Sequence, residues 1–147
     1  MIDPLDVARD VFDLDGSATP LPGEHDLNFR LDANGSRYVL KLHRSGADLA
    51  LEDAVLEHLR EEPAVPRLVR PSERSGDRVV RLLSWVDGRP WADAPGDLES
   101  LGRTVARVDR ALATFEHPDM RRRHPWDLRN APALAVGVRV VQLEHLA

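Results

Sequence analysis

The chain has 147 residues, of which 42% are hydrophobic and 31% are charged, values typical of a globular protein with one hydrophobic core. Its net charge of −5 argues against a broad nucleic-acid surface, and no apolar run is long enough to span a membrane. Cysteine is absent, which excludes disulfides and thiolate chemistry, and the acidic start lacks the features of a signal peptide. We therefore expect a cytoplasmic protein with neither nucleic acid nor membrane as its partner.

The first third of the chain predicts a helix followed by a hairpin. Residues 5–14 carry apolar side chains at loosely helical spacing, and residues 19–23 form a short extended piece. Two strand candidates follow, at 27–32 and 37–43. The Asn34-Gly35 pair between them is a strong hairpin signal.

Lys41 is the only lysine in the sequence, and it lies in the middle of the second hairpin strand. Strand alternation predicts that Tyr38, Leu40 and Leu42 share one face, and that Val39 and Lys41 share the other. A single ammonium in a chain that otherwise uses arginine suits contact with one phosphate or one carboxylate. The alternative is that the position has no special role.

Residues 47–60 predict a helix with an apolar stripe that also contains an acid, Glu52. The stripe consists of Leu49, Glu52, Leu56 and Leu59. A carboxylate in an apolar stripe requires a partner, and Lys41 is the obvious candidate. The alternative is that Glu52 lies at the edge of the stripe and reaches solvent.

Two further strands are predicted at 67–70 and 78–83, and residues 84–90 then lead into a linker. The most regular helical pattern of the chain begins at Leu98 and predicts a core-facing stripe that ends at His117-Pro118. This stripe consists of Leu98, Leu101, Val105, Val108, Leu112 and Phe115. Residues 131–147 have no firm period and are left unassigned.

In this order and spacing, several segments resemble the N-terminal lobe and linker of the aminoglycoside phosphotransferase and choline kinase superfamily, in particular its hydroxylysine kinase-like branch. The matching segments are 21–29, Tyr38-Val39-Leu40-Lys41, Val65-Pro66, 81–90, Leu101-Gly102 and Trp126-Asp127-Leu128. The resemblance implies an α+β, protein-kinase-like N-lobe with about five antiparallel strands and a long helix, followed by a linker and one or two helices. We expect the nucleotide-binding lobe at 1–88, the linker and amphipathic helix at 89–130, and an unassigned tail at 131–147.

The same resemblance implies a nucleotide site in the first of these regions. Lys41 would hold the α- and β-phosphates of ATP, and Glu52 would orient Lys41. A loop would cover the phosphates, mainly with backbone N–H groups, and a hinge would bind adenine. The loop residues are Gly23, Glu24, Asp26 and Asn28, and the hinge residues are Ser84, Trp85 and Val86 with Leu83 beside them.

The groups that perform phosphoryl transfer in this superfamily are not found in the sequence. They belong to a His-x-Asp-x-x-x-x-Asn loop and a second aspartate that binds Mg²⁺. His117-Pro118-Asp119 has the first spacing, but His124 replaces the asparagine. We therefore predict no catalytic and no metal-binding residue in this chain.

The resulting expectation is the ATP-binding lobe of a kinase that phosphorylates a hydroxyl of an amine-bearing metabolite. Mg²⁺ would be required by the complete enzyme, and a C-lobe or a homodimer partner is a possible second partner besides the nucleotide. The alternatives are a non-catalytic interaction module and a truncated remnant.

Overall fold

The computed structural model describes residues 2–44, 49–89 and 96–121. The chain divides into two compact units, Met1–His117 and Pro118–Ala147. In the second unit the described part is a 3₁₀ helix at Pro118–Arg121. Within the described residues, no helix is both long enough and apolar enough to cross a membrane.

The first unit contains a five-stranded antiparallel sheet and three helices. The elements are α1 (Pro4–Phe12), β1 (Gly16–Leu21), β2 (Leu27–Ala33), β3 (Ser36–His43), α2 (Ala50–His58), β4 (Leu68–Ser75), β5 (Arg78–Ser84) and α3 (Asp97–Leu112). The strand order is β1-β2-β3-β5-β4. The expected α+β fold with five antiparallel strands is confirmed. Both edge strands contain a proline, Pro20 or Pro71, which cannot donate to a further strand.

The hairpin between β2 and β3 fixes the register of the central strands. Asn34 and Gly35 both have positive φ, 50° and 72°, as a two-residue type I′ turn requires. The register then places Asn28 opposite Lys41, and Lys41 opposite Arg81 on β5. These three residues form a polar row across the sheet.

The hydrophobic core lies between α1 and the opposite face of the sheet. Leu40 and Leu42 of β3 are buried there, whereas the Lys41 side chain between them is 30% exposed. The predicted alternation of β3 is thus confirmed. Burial of one leucine side chain stabilises the fold by about 2 kcal/mol. The core residues are Val7, Ala8, Phe12, Leu14, Leu31, Ala33, Leu40, Leu42, Val80 and Leu82.

The apolar stripe of α3 differs from the prediction in its N-terminal half. Leu98, Leu101 and Val105 are 73%, 49% and 50% exposed, so this part does not face the core. The C-terminal end of the stripe contacts α2: Nε2 of His58 lies 2.8 Å from the carbonyl oxygen of Ala111, and the ring of Phe115, just after α3, meets His58 edge-on at 5.2 Å. The prediction was wrong here because helical periodicity identifies an apolar face but not what covers it.

Candidate functional site

Lys41 lies in the polar row of β2, β3 and β5, on the sheet face opposite α1. Its side chain is partly exposed, and its Nζ lies 3.9 Å from Oδ2 of Asp26, in the connection between β1 and β2. This distance is within ion-pair range but is longer than a hydrogen bond to a carboxylate. Asn28 and Arg81 flank Lys41 on the neighbouring strands.

Asp26 is bound more closely by His43, which lies two residues after Lys41 on the same strand. The Nδ1 atom of His43 lies 2.9 Å from the same Oδ2 atom of Asp26. Because a carboxylate only accepts, Nδ1 carries the proton and donates it. Burial lowers the pKa of His43 below its ordinary value of 6.5, and Arg81 and Lys41 lower this pKa further, whereas Asp26 opposes the shift. The ring is therefore a neutral donor at pH 7.

The loop at Gly23–Asn28 folds closely onto itself. The side-chain amide of Asn28 donates to the carbonyl oxygen of Pro22 at 3.1 Å. A Cβ atom on Gly23 would overlap this amide and the carbonyl oxygen of Asp26. Glycine is therefore required at position 23 by the close approach of the loop to itself.

Helix α2 is joined to the sheet by an ion pair between Arg81 of β5 and Asp53. Arg81 is buried and also donates to the carbonyl oxygen of Leu49 at 3.2 Å, and Asp53 accepts from the hydroxyl of Ser72 at 2.6 Å. Glu52 is half-buried in the first turn of α2. The structure places the Asp26 carboxylate 3.9 Å from the ammonium of Lys41. The pairing of Lys41 with Glu52 stays a prediction.

The predicted hinge begins where β5 ends. The backbone N–H of Ser84 donates to the carbonyl oxygen of Arg67 at 2.8 Å, and the backbone N–H of Trp85 donates to the carbonyl oxygen of Arg37 at 3.3 Å. Both donors are thus used within this unit. Val86 follows and is 37% exposed, whereas Leu83 before the hinge is buried.

Two grooves lie on either side of Ser84 and Trp85. The larger has a volume of about 630 Å³ and includes Tyr38, and the smaller has about 280 Å³ and includes Val86. The guanidinium of Arg37 lies over the Trp85 ring at 5.6 Å from its centroid. Neither groove is lined by Lys41.

Two of the residues at this site were not predicted from the sequence. His43 shares a strand face with Lys41 by simple alternation, so the i, i+2 spacing was a usable signal. Arg81 interrupts a buried apolar strand, and a charge in such a position requires a partner. The sequence does not show that this partner is Asp53.

The arrangement presents the partly exposed side chain of Lys41 on the sheet face opposite the core, near a compact glycine-containing loop. An ammonium that lies 3.9 Å from its carboxylate neighbour can also bind an anion such as a phosphate. Mg²⁺ fits these residues less well, because Asp26 already accepts from His43 and the described residues contain no cluster of three acids or histidines. We therefore assign no metal-dependent step to them.

Comparisons with known proteins agree with this fold. Residues 17–146 match the model of the phosphotransferase enzyme family. Hydroxylysine kinase of Mus musculus is 30% identical over 149 residues, which cover 78% of this chain and 40% of that protein. The Bos taurus hydroxylysine kinase is 36% identical over 63 residues, which cover 38% of this chain and 17% of that protein.

A solved structure shares the fold. It is spectinomycin phosphotransferase APH(9)-Ia, determined in complex with ADP and spectinomycin, with a TM-score of 0.54 and 10% sequence identity. The likeness covers 78% of this chain and 37% of that one, and it extends to the kinase-like N-lobe. This chain thus spans about two-fifths of the length of the mouse kinase and of the structural relative. Because the family model matches most of its residues, the chain belongs to the phosphotransferase enzyme family.

Proposed function

We propose that this chain is the ATP-binding lobe of a small-molecule kinase, with Lys41 as the cation that holds the nucleotide phosphates. The observation that carries the proposal is the position of Lys41. Its side chain is 30% exposed and lies on the sheet face opposite the core, and its ammonium is 3.9 Å from its carboxylate neighbour. An incoming phosphate therefore finds donors that no hydrogen bond to Asp26 occupies.

The loop at Gly23–Asn28 supports the phosphate side of this site. The Asn28 amide closes the turn of this loop, and glycine at position 23 permits the turn. Asp26 of the same loop lies 3.9 Å from the ammonium of Lys41, so the loop lies beside this residue. Backbone N–H groups of such a loop bind phosphate oxygens without adding a side-chain charge. We assign the loop to covering the phosphates.

The adenine ring would bind along the strand-to-linker segment after β5. Because the N–H groups of Ser84 and Trp85 already donate within the sheet, we assign the adenine donor to the backbone of Val86. Leu83 is buried and Val39 lies opposite it on β3. These two apolar side chains would contact the face of the ring.

The transfer step is not assigned to residues of this chain. Transfer of a phosphoryl group needs a base for the acceptor hydroxyl and ligands for Mg²⁺, which the family carries in a motif that this sequence does not contain. The acceptor would be a hydroxyl of an amine-bearing metabolite, by analogy with the hydroxylysine kinases. The choice of acceptor is supported by the analogy to these longer relatives.

The proposal is tested by calorimetric titration of ATP with Mg²⁺ into the wild type, Lys41→Met and Arg70→Met. Arg70 is an exposed cation on β4, so Arg70→Met changes the net charge equally without touching the site. We expect Lys41→Met to weaken ATP binding by about tenfold or more, since it removes charge-assisted hydrogen bonds, and Arg70→Met to leave binding nearly unchanged. Absence of binding in the folded wild type, or equal binding in all three proteins, would overturn the proposal.

A second candidate function is docking onto another polypeptide through α3. The exposed apolar residues Leu98, Leu101 and Val105 lie on one stripe of this helix, and apolar patches of this kind mark association surfaces. The remainder of a phosphotransferase fold or a second copy of this chain would cover this apolar stripe of α3. Sedimentation of the wild type and of Leu98→Gln/Leu101→Gln tests this function. A wild type that stays monomeric over the full concentration range contradicts self-association.

A further inference from the structure

The side chains of His43 and Lys41 both lie near the same carboxylate oxygen, Oδ2 of Asp26. Oδ2 of Asp26 lies 2.9 Å from Nδ1 of His43 and 3.9 Å from Nζ of Lys41. Because N–H···O hydrogen bonds span about 2.7–3.2 Å, only the contact with His43 is a hydrogen bond. The histidine, and not the lysine, holds this carboxylate.

His43 is well suited to fix the position of a carboxylate. His43 is 6% exposed, and its backbone pairs with that of Val79 on β5. The guanidinium of Arg78 approaches its carbonyl oxygen at 3.5 Å. The imidazole is therefore held by the sheet, whereas Asp26 belongs to a loop. Because the imidazole of His43 is the more rigidly held of the two groups, it determines the position of the Asp26 carboxylate.

We propose that His43 is a positioning residue that keeps the Asp26 carboxylate off Lys41 and thereby leaves the ammonium available to a phosphate. The inference rests on the proposed function of Lys41. Without the Nδ1–H donor, Asp26 needs to move by only about 1 Å to hydrogen-bond Lys41 directly. A phosphate would then have to displace a carboxylate from the lysine before it could bind.

A double-mutant cycle separates this role from a general structural one. ADP affinity is measured by calorimetry in EDTA for the wild type, His43→Leu, Asp26→Asn and the double variant. We expect His43→Leu to weaken ADP binding by about tenfold, the change that a hydrogen bond to a charged group carries. The double variant should regain the affinity of Asp26→Asn alone, because no carboxylate is left to close onto Lys41. A double variant as weak as His43→Leu would overturn the proposal.

Two further variants complete the cycle. His43→Asn places an amide donor close to the position of Nδ1 and should retain wild-type affinity. Asp15→Asn is a charge-matched control, because Asp15 is an exposed acid paired with Arg9 on α1. Should His43→Leu not fold, His43→Met takes its place as an apolar variant.

A second readout does not depend on nucleotide binding. Since Lys41 is the only lysine, lysine labelled with ¹³C at Cε gives one Cε signal in NMR spectra. In nucleotide-free protein, His43→Leu should shift the Lys41 Cε signal, and Asp26→Asn in the same background should abolish that shift. A Cε signal that His43→Leu leaves in place would overturn the positioning role even if ADP binds. A shift without ADP binding would leave the positioning role and overturn the proposed function instead.

Discussion

Arg81 and Asp53 join strand β5 to helix α2, on the same face of the sheet as Lys41. Arg81 is buried and also donates to the carbonyl oxygen of Leu49 just before the helix. These contacts of Arg81 fasten the start of the helix to the sheet.

Removal of Arg81 should destabilise the fold strongly. Arg81→Ala would leave Asp53 without its ion-pair partner in a partly buried position, and breaking such a pair typically costs about 3 kcal/mol of unfolding free energy. Urea denaturation measures the loss. Arg9→Ala, which removes an exposed pair with Asp15, should cost less than about 1 kcal/mol. Equal losses in the two variants would contradict the anchoring role of Arg81.

Gly23→Ala should disturb the loop beside Lys41. The added methyl group overlaps the Asn28 amide and the Asp26 carbonyl, so the loop must shift, at a cost of about 1–3 kcal/mol of stability. Nucleotide affinity should fall with it. The matched control is Gly102→Ala on α3, where a methyl group meets nothing and should stabilise the helix by about 0.5–1 kcal/mol. A Gly23→Ala protein as stable as the wild type would contradict the close approach.

The buried His43 should make stability depend on pH near neutrality. Its folded pKa lies below the ordinary 6.5, mainly because burial disfavours the charged ring. At pH values between the folded and the unfolded pKa of His43, the unfolded chain binds more protons than the folded chain. The free energy of unfolding therefore rises with pH in that window and is lower at pH values below it. Denaturation at pH values below and above 6.5 should show this slope in the wild type. His43→Asn should flatten it, and an unchanged slope in that variant would assign the effect to another group.

Glu62 should contribute to stability in the acid range. Hydrogen bonds from the Arg107 guanidinium, at 2.8 and 2.9 Å, hold the pKa of Glu62 below its ordinary 4.5 against the opposing effect of burial. The stabilisation is present above 4.5 and is lost as pH falls through the folded pKa. Glu62→Gln should remove this part of the acid dependence in denaturation experiments. Glu57→Gln, at an exposed pair with Arg60, should retain it.

Local signals in the sequence predicted most of the fold. The Asn34-Gly35 turn and the alternation around Lys41 depend on neighbouring residues, and both are found in the structure. The two buried polar contacts could not be predicted in the same way. Asp26 meets His43 only because the hairpin register brings the loop over β3, and Arg81 meets Asp53 only through helix–sheet packing. Such pairings depend on the relative placement of elements distant in sequence.

The most direct test of the central claim follows the single lysine signal while ADP or adenosine is added. If Lys41 holds the nucleotide phosphates, its ¹³Cε and attached proton resonances shift with ADP and reach saturation, whereas adenosine, which lacks phosphates, leaves them nearly in place. Because the sequence has one lysine, the assignment is unambiguous. A Lys41 signal that ADP does not move, or that ADP and adenosine move alike, would contradict the role of Lys41 as the phosphate-binding cation.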